Sequence, residues 1–193
     1  MCSSDLTVPL LLNEDGSVQS SVFPLTRPGV ALVRASGLSR FVPDARQPDW
    51  STHWSHDHSR DVECAVGAVV VVRGDAWHEL GGWPERSFMY AEDVDLFWRA
   101  HELGWRTRFV REARFTHLGN ASASARWDDA ARAERIGRAE REVIRLHSSR
   151  AAAAAALAAL NAGLAARLLA FRLRGNRAAA AALAGARRGY RGR

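Results

Sequence analysis

The stretch Gly81–His117, GGWPERSFMYAEDVDLFWRAHELGWRTRFVREARFTH, decides how the rest of the chain is read. It opens on a Gly-Gly turn and crosses an aromatic segment, Trp83, Phe88 and Tyr90. The acids Glu92, Asp93 and Asp95 then fall close together. Leu96, Phe97, Ala100 and Leu103 follow on one helical face, and Gly104 stands where a helix-ending glycine belongs, so a helix is predicted directly after the acids. Carboxylates in a first helical turn have a local rationale, because free N–H groups and the helix dipole favour negative charge there. Here they are crowded and flanked by aromatics and glycines, which also makes the cluster a candidate site. A short alternating strand, Trp105–Val110, and a lone His117 complete the stretch.

Upstream, Val62–Arg73 (VECAVGAVVVVR) reads as one buried strand of an α/β sheet, β-branched and nearly continuous. Gly67 within it predicts the close approach of a ligand or another backbone. Asp75–Leu80 is a short helix beneath the Gly81-Gly82 turn. Nearer the start, Val8–Leu12 is an apolar strand, Asn13–Gly16 a turn and Val18–Leu25 a second strand. Residues 26–60 are irregular and read as a loop over the site. His53, His56 and His58 lie close together there, with Trp50, Trp54 and Asp57 interleaved. Such a group can bind zinc or nickel, but no cysteine or second histidine pair closes the shell; a solvated loop, its tryptophans free to stack on a ring, is the competing reading.

These residues resemble a known family. GAVVVVRGDAWHELGGWPERSFMYAEDVDLFWRAHELGW, followed by HLGNAS, is similar to the second half of a family 2 glycosyltransferase, and within it to the rhamnosyltransferase-like branch that builds bacterial surface polysaccharide. The shared order is a Gly-Ala strand, an arginine, a Gly-Gly-aromatic turn, an aromatic-Met-Tyr segment, Glu-Asp-x-Asp-Leu, a helix ending in Gly-aromatic, and a histidine. Pro84 departs from it, standing before Glu85 where the family has an aspartate. The resemblance covers residues 7–127. It implies an α/β fold of the GT-A type, incomplete here. In the family, a hairpin like that of residues 8–25 follows a nucleotide-binding half carrying an Asp-x-Asp motif. Asp93-Val94-Asp95 has that spelling but sits at the acceptor side. Residues 1–6 (MCSSDL) fit nothing downstream and read as a non-native leader, with a natural N-terminal extension as the alternative.

The resemblance also implies chemistry. Asp93 takes the place of the catalytic base of an inverting transfer, with Glu92 beside it; Glu92 and Asp95 would raise its proton affinity or orient the acceptor. Gly81, Gly82, Trp83, Glu85 and Asp95 would line the acceptor side, although Trp83 also fits a core position. His117 would ligate a divalent cation, magnesium or manganese, shared with the Asp-x-Asp motif. The implied partners are a nucleotide-sugar donor and a glycan or lipid-linked acceptor, and the isolated chain is expected to be inactive.

Composition sets the remaining bounds. The 193 residues carry 27 basic and 21 acidic side chains, and every basic one is arginine. From Arg150 onward there are nine arginines and no acid, an alanine–arginine bias that reads first as high-GC coding. Cys2 and Cys64 form no framework; Cys64 reads as a buried thiol in a reducing compartment. No secretory signal is recognisable, so a cytoplasmic protein, peripheral on the inner face of the plasma membrane, is expected. Residues 128–193 read as a helical basic extension: a helix over 128–147, a second over 151–174, and a flexible tail, RRGYRGR. The second helix is alanine-rich and carries Arg167, which argues against a span and for an amphipathic helix on an anionic membrane, or for packing on the domain or a second copy. No aromatic stacking platform accompanies the tail, so nucleic acid is not an expected partner. Readings from other classes are a non-catalytic membrane-surface or partner-binding module and a small metal-binding protein.

Overall fold

The computed structural model describes residues 5–36, 55–83, 90–118 and 128–192. Its elements are β1 (Leu6–Leu12), β2 (Val22–Phe23), α1 (Pro28–Ser36), β3 (Arg60–Val62), β4 (Cys64–Ala65), β5 (Val71–Val72), α2 (Gly74–Leu80), α3 (Glu92–Glu102), β6 (Thr107–Thr116), α4 (Asp129–His147), α5 (Arg150–Leu173) and α6 (Arg177–Arg191). They form two compact units: Met1–Leu25 with Arg40–Gly119, and Thr26–Ser39 with Asn120–Arg193. The division expected near residue 127 thus becomes an interleaved one, because α1 belongs with the C-terminal helices.

The first unit is built on a four-stranded mixed sheet in the order β3-β6-β1-β5. β1 runs parallel to β6 and antiparallel to β5. Leu6, Val8, Leu10 and Leu11 are all buried, so both faces of β1 are covered and its sequence is a continuous apolar run. Pro9 interrupts the ladder: the partner of Pro9 is Val110, but that of Leu10 is Arg114. Proline has no N–H to give a neighbouring strand, which accounts for the bulge at this step. Asp5 and Leu6, assigned above to the leader, are taken into this sheet. Leu6 is fully buried, and Asp5 accepts from the Arg106 N–H and pairs with Arg73 at 2.9 Å.

The single strand expected over 62–73 is instead broken into β3, β4 and β5. Cys64 and Ala65 leave the main sheet to pair with β2, where the Glu63 carboxylate accepts the Leu25 N–H at 2.9 Å and the Val66 N–H donates to Ser21 O at 2.7 Å. The chain turns at Gly67 before returning as β5. Cys64 is fully buried, as read from sequence. The second strand expected over 18–25 shrinks to one bridge at Val18 and the two residues of β2.

The second unit consists of α1, α4, α5 and α6. Asp128, Ser149 and Asn176 cap the N-termini of α4, α5 and α6, accepting from Ala131, Ala152 and Ala179 N–H. Part of the loop expected over 26–60 is therefore helical, with Pro28 at the first position of α1. The tail expected to be flexible is the end of α6, with Tyr190 buried. Small residues allow close helix contacts: a Cβ on Gly185 would lie 2.1 Å from Ala130 O, one on Gly189 2.2 Å from Glu134 O, and one on Gly163 2.5 Å from Ala35 of α1. A polar cluster ties the helices together. Glu140 of α4 accepts from Thr26 and Arg34 at 2.7 Å each, and from the Tyr190 hydroxyl.

Candidate active site

The site is assembled where α2, the turn after it and α3 meet the chain at Gly67. α2 ends on Gly81, whose left-handed backbone (φ +71°) lets its N–H cap His78 O, and Gly82 follows at φ +70°. The carbonyls left free at this end are claimed by α3: Arg99 donates to Leu80 O and, at 3.0 Å, to Gly82 O. Arg99 is in turn held by Asp95 one helical turn earlier, Nε to Oδ2 at 2.8 Å. Asp95, expected among the acceptor-binding residues, is 1% exposed and spends its charge on this clamp. It acts on the turn through Arg99.

α3 begins abruptly. Tyr90 and Ala91 both lie in the left-handed region, at φ +78° and +64°, and the Ala91 N-cap offers no side-chain bond. Two successive non-glycine residues there store backbone strain, a recurrent mark of functional segments. The entry swings Glu92 and Asp93 to the start of the helix. Asp93 Oδ2 accepts the Gly67 N–H at 3.0 Å, and Oδ1 accepts the Val94 N–H at 2.8 Å. Burial raises the Asp93 carboxyl above its ordinary pKa, against the lowering effect of those two N–H bonds. Burial likewise raises Glu92, with the Asp93 charge adding to it. One Glu92 oxygen, Oε2, is buried with no hydrogen-bond partner among the described residues. The expected raised proton affinity of Asp93 is thus present, but desolvation causes it, and Asp95 takes no part.

Gly67 is close to two of these groups. A Cβ placed on it would lie 2.9 Å from Asp93 Cβ and 3.3 Å from Trp83 Cη2. The close approach read from sequence is therefore made by the carboxylate and the indole. Trp83 is 41% exposed and meets Trp77 edge-on at 6.2 Å between ring centroids. That exposure is against the core position, one of the two roles expected for it. Glu85 lies outside the described residues.

His117 stands elsewhere in the same unit, just past β6. Its N–H donates to Leu12 O and its Nδ1 pairs with Gln19 Oε1 at 2.8 Å. Gln19 uses its amide nitrogen on Asn13 Oδ1 at 3.2 Å, which turns its oxygen to the imidazole. A neutral ring in this geometry carries its hydrogen on Nδ1, toward Gln19. Among the described residues, however, no group of three or more His, Cys, Asp or Glu can hold a metal. Of the loop histidines, His56 is buried edge-on to Phe109 and His58 pairs with Asp57; His53 lies outside the described residues. Sequence reasoning missed Gln19 and Arg99. The first was visible only as a hairpin residue, and the second only as a helix residue four after an acid.

The chain matches, over residues 34–184, the family described as glycosyl transferase family group 2, and it belongs to that family. Curated relatives include the N-acetylglucosaminyl-diphospho-decaprenol L-rhamnosyltransferase of two Mycobacterium tuberculosis strains, CDC 1551 / Oshkosh and ATCC 25618 / H37Rv. Each is 33% identical over 113 residues, 56% of this chain and 36% of the relative. The chain thus spans little more than a third of the length of those relatives. No solved structure matches it.

Proposed function

We propose that this chain is the acceptor-side and catalytic-base portion of an inverting glycosyltransferase that moves a sugar from a nucleotide-sugar donor to a lipid-linked or glycan acceptor. Rhamnose and a polyprenyl-diphosphate-linked sugar are the substrate classes the named relatives suggest. In the step, the acceptor hydroxyl oxygen bonds to the anomeric carbon as the bond from that carbon to the diphosphate oxygen breaks, and the hydroxyl proton passes to Asp93. The observation that carries the reading is the state of Asp93: desolvated, held at both oxygens by N–H groups, and packed at Gly67, which Trp83 also approaches. A base with raised proton affinity accepts a proton more readily. Glu92, whose carboxyl burial also raises and whose buried Oε2 has no partner among the described residues, is assigned the role of bonding an acceptor hydroxyl. Gly81, Gly82 and Trp83 are assigned to the acceptor wall, which Asp95 supports through Arg99, and Glu85 joins them by the resemblance alone.

A divalent cation, when bound, would neutralise charge developing on the leaving diphosphate. His117 Nε2, with Gln19 orienting the ring, is suited to be one of its ligands. The donor nucleotide is assigned to the nucleotide-binding half that the family resemblance implies, so the 193 residues alone are expected to bind no nucleotide sugar and to turn nothing over. The proposed setting is the inner face of the plasma membrane, where lipid-linked acceptors lie.

The test is Asp93→Asn in a full-length protein that carries this segment. Transfer should fall about 10²–10⁴-fold, the usual share of a general base, with donor affinity unchanged. Retained turnover would refute the assignment. Calorimetry of the 193-residue chain with dTDP- and UDP-sugars and manganese checks the second part, since metal-dependent binding would reveal a donor site within it.

A further inference from the structure

α5 carries a face that nothing in the described chain covers. Its inward side is occupied: Ala153, Ala156, Leu157, Leu160 and Leu168 are buried, and Gly163 meets Ala35. On the outward side, every exposed position from 151 to 166 is alanine. Leu169 and Leu173 continue that stripe, 59% and 80% exposed. An outward face without a polar side chain needs an apolar neighbour.

At its C-terminal end the stripe runs into positive charge. Arg172, Arg174 and Arg177 are exposed around the elbow between α5 and α6, which turns at Gly175. Arg172 and Arg177 help line an open cavity of about 500 Å³ there, with Gly175 and Ala180. No acid occurs after residue 150 to neutralise them.

We propose that this elbow docks the protein on an anionic lipid surface, Leu169 and Leu173 entering the acyl boundary while Arg172, Arg174 and Arg177 take lipid phosphates. Exposed leucines beside unopposed cations are the combination an anionic interface rewards, whereas a second copy meeting the elbow face-on would oppose like charges. Among the described residues α5 alone is long and apolar enough to cross a membrane. Yet its charge-free run, residues 151–166, is about 24 Å at ~1.5 Å per residue, short of a core about 30 Å thick. Its other face is already packed on α1, so it lies on the surface. The proposal deepens the transferase reading by placing the site where a lipid-linked acceptor resides. Vesicle binding is read without turnover, so either can fail alone.

The test is co-sedimentation of the full chain with phosphatidylglycerol–phosphatidylcholine vesicles and with pure phosphatidylcholine vesicles. Binding is expected to the first only, weakening as salt rises. The triple variant Arg172→Gln, Arg174→Gln, Arg177→Gln should bind about a hundredfold more weakly, near fivefold per arginine. Leu169→Gln with Leu173→Gln should weaken binding too, with helical circular dichroism unchanged because all five side chains are exposed. No binding, equal binding to both vesicles, or unaltered variants would overturn the proposal. Resistance to alkaline extraction would replace it with a spanning helix, and a dimer broken by Leu173→Gln would replace it with self-association.

Discussion

Asp93 occupies the space that a side chain on Gly67 would need: the carboxylate accepts the Gly67 N–H at 3.0 Å, and a Cβ on Gly67 would lie 2.9 Å from Asp93 Cβ. Gly67→Ala therefore displaces either the turn or the carboxylate. A loss of about 1–3 kcal/mol is expected, as for other overpacked sites, and urea denaturation reads it. In a full-length protein the same change should lower kcat, because the proposed base moves, and it should also raise KM, because the added Cβ presses on Trp83 as well.

The acids of α3 set a pH dependence. Burial holds both Asp93 and Glu92 above the ordinary carboxylate range. The folded state keeps protons that the unfolded chain has already released, so these groups contribute stability at low pH. That contribution is lost as pH rises through their folded values. Asp93→Asn, which still accepts the Gly67 N–H, should gain stability relative to the parent between pH about 4 and pH about 7. Denaturation midpoints of both proteins at the two pH values check the sign.

Arg99 is the clamp between α3 and the Gly-Gly turn. Arg99→Met takes the guanidinium away from the buried Asp95 carboxylate and from two carbonyls, and is expected to cost about 3–5 kcal/mol. Adding Asp95→Leu should recover much of that by removing the stranded charge. If the double variant is no more stable than the single one, Asp95 has a role beyond holding Arg99.

How much of this was legible in the sequence varied with the range of the interactions. The helix after the acids, its glycine stop and the buried Cys64 follow local rules and were readable. The breaks within residues 60–72 were not: a β-branched run looks the same whether its strand stays in one sheet or changes partner, and here Glu63 and Ser21 pull it toward β2. Asp93 stood out by crowding, whereas Asp95 looked equivalent until Arg99 was seen to claim it. The tail looked flexible because glycine and arginine dominate it; its glycines in fact let α6 lie against α4.

The helical unit should be acid-sensitive. Burial alone would raise the Glu140 carboxyl, but the Arg34 guanidinium and bonds from Arg34, Tyr190 and Thr26 outweigh it and hold the group below its ordinary range. A lowered acid contributes stability above the unfolded value, and that contribution is lost as pH falls through the folded one. Burial and the Glu140 charge push the Tyr190 hydroxyl well above its ordinary pKa, keeping it a donor. Glu140→Gln should flatten the acid limb of a helical circular-dichroism titration, and an unchanged limb would locate the sensitivity elsewhere.

The interleaving of the two units bears on how the molecule can be made and divided. The chain passes from one unit to the other after Leu25, after Ser39 and after Gly119. No single cut yields two contiguous pieces that each keep all their elements: removing the C-terminal helices orphans α1, and expressing them alone omits it. On a ribosome, β1 must wait for β6, since Leu6 pairs with Thr107, and α1 must wait for the helix bearing Gly163. The first unit cannot close before β6 has emerged, and the second not before the C-terminal helices have, so partial products would expose the apolar residues of β1 and recombination at residue 120 would be expected to fail.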